Sequence, residues 1–390
     1  MRIAIVASPL ANKPLSGGHA WVPLSFAVGL RRLGFDVYLV EQIDSGVCVD
    51  AGGGPASFAE SINRSFFIDV TDEAGFAGRR ALISDGGRES EGFDLERLRE
   101  IAADADLLVN ISGHARLDGL VSGPRARAYI DMDPGFTQHW NRSGLLPEGI
   151  RDHEFHFSVA ANIGAPDCGI PADGLDWKPI VQPVVLDDWP TAEGGGATEA
   201  GRFTTVATWR CPSGLVSFDG ITFPDKLHEF RRLQALPSVV ERRFEIALDI
   251  HPGDVADRDR LEANGWQLVE PRVVAGDPER FRDYVLGSGA EFSAAQGVYV
   301  GTNSGWFSDR SVRYLAAGRP VLVQDTGFAP AIPEGEGVVA FATFEEARLG
   351  AACIAAEYAA HAAAARRIAE TVFDSDIVLG RMCDQMGISN

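Results

Sequence analysis

The 390-residue chain carries 35 basic and 55 acidic residues, for a formal net charge of −20, and 45% of its residues are apolar. A chain of this length is too long for a single domain with one hydrophobic core, and it predicts two domains of ordinary size. The acidic balance argues against nucleic acid and anionic lipid as partners, because both repel a protein of this charge.

The chain begins with MRIAIVASPLA, a short apolar run that ends in a proline-containing loop. This pattern predicts a first strand and not a signal peptide. No apolar run in the sequence reaches the roughly eighteen residues of a membrane span. We therefore expect a cytoplasmic protein without an integral membrane segment.

Strand-like and helix-like segments alternate through the first half. RIAIVAS and DVYLVE flank HAWVPLSFAVGLRRLG, whose apolar residues recur at helical spacing, and ERLREIAADA precedes DLLVNIS, ARAYIDMD and FHFSVAANIG. Such alternation predicts a parallel sheet with helices on both faces. We expect a Rossmann-like, doubly wound α/β domain over residues 1–185.

PVVLDDWPTAEGGGATEAG lacks a sustained period and predicts a linker, placed at residues 186–202. The alternation then restarts, and it predicts a second doubly wound domain over residues 203–370, facing the first across a cleft. Within it, AEFSAAQGVYVG predicts a strand entered from a turn. A long alanine-rich helix starts near Thr343, and residues 371–390 form a last helix expected to pack back on the first domain.

The first candidate site lies between the first strand and the first helix. Gly17 and Gly18 let the backbone approach a bound group, and the free N–H groups of a helix start favour an anion. His19 follows them, where doubly wound sheets bind ligands at the carboxyl ends of their strands. A plain glycine connector and a capping or exposed histidine would explain the same residues.

Polar residues also end two later strands. Asn110, Ser112 and His114 follow one strand, and Asp131 and Asp133 follow another. Each group can line the same edge of the cleft, although turns also begin with polar residues for local reasons. Because Asp131 and Asp133 alternate to one face of the strand, we expect at least one of them to face a ligand.

The second half supplies cations and hydroxyls suited to a phosphate group. Arg210 at a strand end and Lys226 at the next helix start can converge on a diphosphate, or can be two solvated surface cations. The stretch around GWFSDRSVRYLAAGRP adds polar side chains, although Asp and Ser are also ordinary helix caps. The candidates of this stretch are Ser304, Ser308, Asp309, Arg310, Ser311 and Arg313.

The sequence offers no metal-binding pattern. Five cysteines are scattered without CxxC pairs, and no HExxH, P-loop or GxSxG motif occurs. We expect neither a metal site nor a disulfide framework.

Three of these segments, in this order, resemble the GT-B glycosyltransferases, the group that includes family 4. PLSGGHAWVPLSFAVGLRRLGFDVYLVE is similar to their glycine loop and first helix, ATWR…DK to their arginine and lysine pair, and SVRYLAAGRPVLVQDTGF to their late helix, Gly-x-Pro and strand. The resemblance spans nearly the whole chain. It implies two Rossmann-like domains, a nucleotide-sugar donor held mainly by the C-terminal one, an acceptor held mainly by the N-terminal one, and neither metal nor other cofactor.

The resemblance also implies roles for single residues. The glycine loop would approach the donor phosphates, Arg210 and Lys226 would neutralise the leaving diphosphate, and His19 or His114 would lie near the reacting sugar. In the related family 1, a histidine soon after the first strand is the general base, and His19 occupies a comparable place.

The sequence departs from the family pattern in the donor segment. Arg313, five residues before Gly318, stands where family 4 carries the later of two glutamates, and TNSGWFSD lacks the histidine that opens the family 1 donor box. Sugar specificity and stereochemistry therefore stay open. Arg313 is expected either to grip phosphate or to pair with an acidic neighbour.

The leading hypothesis is a metal-independent glycosyltransferase that moves a sugar from a nucleotide-diphosphate sugar to a small soluble acceptor. A 2-epimerase of GT-B-like fold is the first alternative, because Asp131, Asp133 or Asp309 could act as its acid and base. A non-catalytic, two-domain ligand-binding protein is the second, since a cleft between doubly wound domains also describes such proteins.

Overall fold

The computed structural model describes residues 2–145, 149–191, 201–211 and 214–388. Strands and helices alternate along them. The strands are β1 (Ile3–Ala7), β2 (Asp36–Ile43), β3 (Arg80–Ser84), β4 (Glu89–Gly92), β5 (Leu107–Ile111), β6 (Ala126–Asp131), β7 (Phe155–Ser158), β8 (Trp177–Pro179), β9 (Arg202–Thr208), β10 (Ser217–Phe218), β11 (Ile221–Thr222), β12 (Arg243–Asp249), β13 (Trp266–Val269), β14 (Ala290–Ser293), β15 (Val321–Gln324) and β16 (Val338–Phe341).

The helices connect these strands and close the chain. They are α1 (Gly17–Arg32), α2 (Ile62–Glu73), α3 (Leu95–Asp104), α4 (Phe136–Arg142), α5 (Lys226–Leu233), α6 (Leu236–Val239), α7 (Val255–Ala263), α8 (Pro271–Ala275), α9 (Pro278–Leu286), α10 (Gly297–Gly301), α11 (Asp309–Ala316), α12 (Phe344–Ala356), α13 (Tyr358–Ile368) and α14 (Ser375–Gln385). No helix in the described ranges is both long and apolar enough to span a bilayer.

The first sheet has the strand order β4-β3-β2-β1-β5-β6-β7-β8. Its neighbouring strands run parallel except β3 and β4, which pair antiparallel. The central strands are buried on both faces, so they are apolar without alternation, as in β5, where Leu107, Leu108 and Val109 are fully buried. Helices and loops cover both faces.

The second sheet is parallel throughout, with the order β13-β12-β9-β14-β15-β16. Aromatic side chains build its core: Phe203 stacks on Phe244 with ring centroids 5.0 Å apart, and Trp266 packs edge-on against Phe244. The chain thus forms two Rossmann-like, doubly wound domains facing each other across a cleft, which is the predicted fold class.

The predicted domain limits fall only partly on described residues. Residues 192–200 of the predicted linker and 389–390 of the predicted last helix lie outside them, and β9 begins at Arg202, the last residue of that linker. Helix α14 lies against α1: Leu379 contacts the position of Gly29, and Asp376 accepts a hydrogen bond from Arg32 Nε (3.0 Å). The limits themselves stay a prediction.

Two predicted elements are wrong. GVYVG is helix α10 and not the second half of a strand, because a helical turn places Val298 and Tyr299 in a buried cluster with Phe136 of the first domain. The alanine-rich run is not one helix, since it breaks at Glu357 between α12 and α13. Tyr358 then turns inward and donates to the Gly289 carbonyl (2.8 Å).

Candidate active site

The two domains meet along helix α1. Gly17 lies so close to the segment before α9 that a Cβ built on it would stand 1.8 Å from the Asp277 carbonyl oxygen, and a Cβ on Gly18 would meet the Phe281 ring. Trp21 Nε1 donates to the Pro278 carbonyl (3.0 Å). Only glycine fits at position 17, because the two domains are in contact there. The approach of Gly17 to donor phosphates stays a prediction.

Arg313 of α11 completes this junction. Its guanidinium is 1% exposed and donates to the Trp21 carbonyl (3.1 Å), the Ser25 hydroxyl (3.1 Å) and the Asp309 carbonyl (2.9 Å). All three acceptors are neutral oxygens. No described carboxylate forms an ion pair with Arg313, so pairing with an acidic neighbour, one of the two roles expected from the sequence, is not found, and contact with a phosphate stays a prediction. Arg313 fastens α11 to α1 at Trp21 and Ser25, beyond the first turn of α1.

Both of these helices begin without a side-chain cap. Ser16 and Ser308 occupy the two N-cap positions, but neither hydroxyl accepts a hydrogen bond from its helix. The first intrahelical bonds run from Ala20 N to Ser16 O (3.1 Å) and from Val312 N to Ser308 O (3.2 Å). N–H groups left free at helix starts favour a bound anion.

Four polar side chains of the first domain form a cluster around the start of α1, here called the cleft cluster: Lys13, His19, His114 and Asp133. His19 interacts electrostatically with Lys13 and His114, and Lys13 also interacts with Asp133. The structure thus brings together the three predicted catalytic residues. Lys13 was missed, because in the loop ANKPL nothing local distinguishes it from a surface lysine.

His19 is neutral at pH 7. Its Nε2 lies 3.0 Å from the Pro9 carbonyl, which can only accept, so Nε2 carries the proton and Nδ1 is left as an acceptor. Burial lowers the pKa of His19 to about 3, and the charges of Lys13 and His114 add to the effect. Burial, with Arg116 and Lys13, likewise lowers the pKa of His114 to about 3.

Asp131 is a structural residue. Its buried carboxylate accepts hydrogen bonds from Thr137 Oγ1 (2.7 Å), Gln138 Nε2 (3.1 Å), Ser158 Oγ (2.9 Å) and the Asp133 backbone N–H (3.1 Å). Burial raises its pKa to about 6, and the three side-chain donors oppose this rise. Asp131 therefore fixes the turn that presents Asp133.

Asp133 is the carboxylate that faces the cleft. Its side chain is exposed to the cleft water, yet protein atoms of both domains crowd it. This crowding raises the pKa of Asp133, while Lys13 opposes the rise and Asp309 of the second domain adds to it. Asp309 of the second domain is therefore close enough to Asp133 to influence its charge.

Asn110 fixes the loop that carries His114. Its Nδ2 donates to the Ala115 carbonyl (3.0 Å), and its Oδ1 accepts from the Ala115 N–H (2.9 Å). The Asn110 amide also lies 3.1 Å from His153 Nε2. The residue is fully buried. Asn110 therefore positions the loop that carries His114.

Arg310 points into the second domain and not into the cleft. Its Nε donates to Glu291 (2.5 Å), its Nη1 to the Val206 carbonyl (2.8 Å) and its Nη2 to the Ser293 hydroxyl (2.8 Å). Three of its five N–H donors are thus bonded within the second domain, and they hold the guanidinium as a fixed positive charge.

Lys226 is the available cation of the second domain. In the part of the chain that the structure describes, its ammonium group has no hydrogen-bond or ion-pair partner, and burial, with the charge of Arg310, lowers its pKa to about 8. Arg210 does not lie beside it. That side chain is 56% exposed and pairs with Asp254 (3.0 Å). The structure thus brings Lys226 together with Arg310 instead of Arg210.

The predicted serines divide by environment. Ser304 donates to the Tyr299 carbonyl (3.1 Å) and accepts from the Trp306 N–H (3.1 Å), so its hydroxyl serves a local turn. Ser311 is fully buried on the inner face of α11. Ser308, at the uncapped helix start, keeps a hydroxyl without an intramolecular partner among the described residues.

The arrangement joins anion-binding groups to acid–base groups. Two free helix starts and Lys226 can hold a diphosphate, and Asp133 with His19 can act on a hydroxyl in front of it. Within the described ranges, no three His, Cys, Asp or Glu side chains are grouped as metal ligands.

No known family profile matches the chain, and no curated protein does. Solved structures match over 99% of this chain. AviGT4, a glycosyltransferase involved in avilamycin A biosynthesis, is 16% identical with a TM-score of 0.55 over 97% of its length. HepE (Alr3699) from Anabaena, solved with UDP-glucose, is 12% identical with a TM-score of 0.59 over its whole length.

An alpha-glucosyltransferase solved with UDP is 11% identical, with a TM-score of 0.59 over its whole length. At these identities the likeness concerns the arrangement of the chain in space. The likeness covers 99% of this chain, which includes both sheets, their connections and the final helix. The chain therefore has the GT-B fold of glycosyltransferases.

Proposed function

We propose that the cleft transfers a sugar from a nucleotide-diphosphate sugar to a small hydroxyl acceptor, without a metal ion. The observation that carries this proposal is the pair of uncapped starts of α1 and α11, two helices joined by Arg313, together with the ammonium group of Lys226, which has no partner among the described residues. The GT-B neighbours solved with UDP or UDP-glucose support a nucleotide sugar as the donor.

On the donor side, the diphosphate lies across the two helix starts. The backbone N–H groups and Lys226 donate to its oxygens, and Arg310 adds positive charge from behind. A bound diphosphate raises the pKa of Lys226, so the ammonium form persists through turnover. These groups stabilise the negative charge that grows on the leaving diphosphate and take the place of a divalent cation.

On the acceptor side, His19 and Asp133 take different roles. The unprotonated Nδ1 of His19 accepts a hydrogen bond from the acceptor hydroxyl and orients it. A group with a pKa of about 3 is a poor proton acceptor near pH 7, whereas the raised pKa of Asp133 makes it the stronger base. We therefore assign proton removal to Asp133 and orientation to His19, with His114 beside the reacting sugar.

A small acceptor is favoured over nucleic acid. Structures of the alpha-glucosyltransferase include complexes with UDP and DNA. The present chain has a net charge of −20, and phosphate backbones bind to basic surfaces. The charge therefore supports an uncharged or small acceptor.

The reaction is tested by incubating the full-length protein with UDP-, GDP-, ADP- and dTDP-sugars in EDTA, with and without a panel of hydroxyl acceptors. We expect nucleoside diphosphate to be released only when an acceptor is present. Conversion of the donor without an acceptor would instead identify an epimerase. Binding of the donor without turnover across the panel would identify a ligand-binding protein.

The assignment of Asp133 gives the first prediction. Asp133→Asn should lower kcat by about 10²-fold or more while donor affinity changes little, because general bases typically contribute 10²- to 10⁴-fold. Asp176→Asn, which removes a carboxylate that is 88% exposed, is the matched control and should keep full activity. Activity of Asp133→Asn equal to that control would refute the assignment.

A further inference from the structure

A second pocket lies between the first domain, the second domain and helix α14, apart from the cleft cluster. Its walls are mainly buried apolar side chains, among them Phe157, Ile180, Phe307, Ile332 and Met382. It encloses about 280 Å³, far more than the small voids of a packed protein interior. The pocket is therefore large enough to hold a small ligand.

Gln182 and Arg381 are polar residues of the lining whose side-chain groups lack a partner among the described residues. Gln182 is 4% exposed, and its amide oxygen Oε1 is buried without a hydrogen bond in the described part of the chain. Buried amides almost always have a partner, so this one is available to a ligand. Arg381 is the one charged residue among those that line the pocket, and no described residue forms an ion pair or hydrogen bond with it.

The positions of these groups define the chemistry of the ligand. Arg381 is exposed on α14, so it can pair with a negative charge of the ligand at the pocket mouth. Gln182 lies inside the pocket among apolar side chains. An arginine binds a carboxylate through two parallel hydrogen bonds, and the Gln182 oxygen needs a donor such as a hydroxyl. The ligand thus carries an anion at one end and a hydroxyl at the other.

The volume limits the apolar body between these ends. At about 30 Å³ per water-sized group, 280 Å³ holds roughly nine non-hydrogen atoms. We propose that this pocket binds a small hydroxylated aromatic or aliphatic carboxylic acid, with its carboxylate on Arg381, its hydroxyl on Gln182 and its apolar body against Phe157, Phe307 and Met382. Such a site is separate from the proposed donor and acceptor sites.

The probe is 3-(4-hydroxyphenyl)propionate, whose hydroxyphenyl-ethyl body has nine non-hydrogen atoms and leaves the carboxylate at the mouth. Calorimetric titration of the full-length protein is run with this acid, with its methyl ester and with 3-phenylpropionate. The ester should bind at least tenfold more weakly, because it loses the charge that Arg381 meets. 3-Phenylpropionate should also bind more weakly, because Gln182 stays unpaired.

Three variants identify the site. Arg381→Gln should remove the preference for the acid over the ester, and Gln182→Leu should remove the preference for the hydroxylated acid. Ala331→Phe fills the pocket and should abolish binding. Arg260→Gln, which changes an exposed arginine on α7 away from the pocket, should bind like the wild type.

Thermal unfolding without ligand shows whether each variant is folded. Because Arg381 is exposed, Arg381→Gln should fold normally. If a variant at a buried position fails to fold, Arg381→Gln still tests the proposal. Failure of the wild type to bind any of the three compounds would overturn the proposal. Wild-type affinity in folded Arg381→Gln and Ala331→Phe would overturn it as well.

Discussion

Burial shifts the acid–base groups of the cleft cluster in opposite directions. It lowers the pKa of His19 and His114 to about 3, and crowding by protein atoms raises that of the exposed Asp133, because in each case the charged form loses hydration. From the sequence, His19 was the expected base, since an imidazole is suited to proton transfer near pH 7. Burial is a tertiary property, so the sequence could not reveal that the carboxylate is the stronger base.

The two histidines should make stability depend on pH. In the unfolded chain the histidines take up protons near pH 6.5, whereas in the folded protein they do so only near pH 3. Their contribution to the free energy of unfolding is therefore fully present above about pH 6.5 and is lost as the pH falls toward 3. At pH 5 the loss should be on the order of 1–2 kcal/mol for each histidine. The charge of Lys13 acts on both histidines, and that of Arg116 acts on His114.

This dependence is measured by urea unfolding of the wild type and of a His19→Gln/His114→Gln variant between pH 7 and pH 5. The difference in free energy of unfolding between the two proteins should shrink as the pH falls. A difference that stays constant over this range would show that the histidines are not buried in their neutral form.

The arginines of α11 show what residue spacing predicts and what it leaves open. The sequence places Arg310 and Arg313 three residues apart on one helix, but Arg310 reaches the second sheet and Arg313 reaches α1. Their partners come from distant parts of the chain: Glu291 for one, and Trp21 with Ser25 for the other. Neither of these partners could be inferred from local spacing.

Among the elements, α1 has the most demanding position, because it contacts α9, α11 and α14. Gly17, Gly18 and Gly29 each bring its backbone close to a neighbour, at Asp277, Phe281 and Leu379. From the sequence, Gly17 and Gly18 were expected to approach a bound group, and that role stays a prediction. The close neighbour that the structure shows at all three glycines is protein, which only the assembled domains could reveal.

Gly17→Ala should therefore destabilise the domain junction. The new Cβ would stand 1.8 Å from a backbone oxygen that has no free side-chain motion to relieve the clash. Overpacking of this kind costs about 1–3 kcal/mol or more. Thermal unfolding should show a melting temperature lower by several degrees.

Gly380→Ala is the matched control for this substitution. Gly380 lies within α14 with nothing inside 4 Å of the built Cβ, so alanine should raise helix stability by about 0.5–1 kcal/mol. A melting temperature of Gly17→Ala equal to or above that of the wild type would contradict the close contact between α1 and the α9 segment.

Alternation along the chain predicted most elements, because strands buried on both faces and amphipathic helices leave strong local patterns. The pattern failed at GVYVG, where β-branched and aromatic residues favour a strand but packing between the domains selects a helix. It also failed at Glu357, where Tyr358 turns into the core. Tertiary contacts decided the structure at both places.

At the scale of the whole molecule, the distribution of charge is consistent with the proposed anion site, although the protein is acidic. The net charge is −20, and the chain has three lysines, of which Lys13 and Lys226 lie at the cleft and Lys178 on β8. The GT-B arrangement places one of the two cleft lysines on each domain. A diphosphate between them would therefore also hold the domains together.

The central claim is that this cleft binds a nucleoside diphosphate through Lys226 and the two helix starts. It is tested by calorimetric titration of UDP, GDP, ADP, CMP and dTDP in EDTA into the wild type, Lys226→Met and the control Lys178→Met. We predict that the wild type and the control bind at least one diphosphate with equal affinity. Lys226→Met should bind the same diphosphate at least tenfold more weakly, because hydrogen bonds to charged groups contribute about 1.5–3 kcal/mol. Equal affinity of all three proteins, or no binding of any nucleotide by the wild type, would contradict the claim.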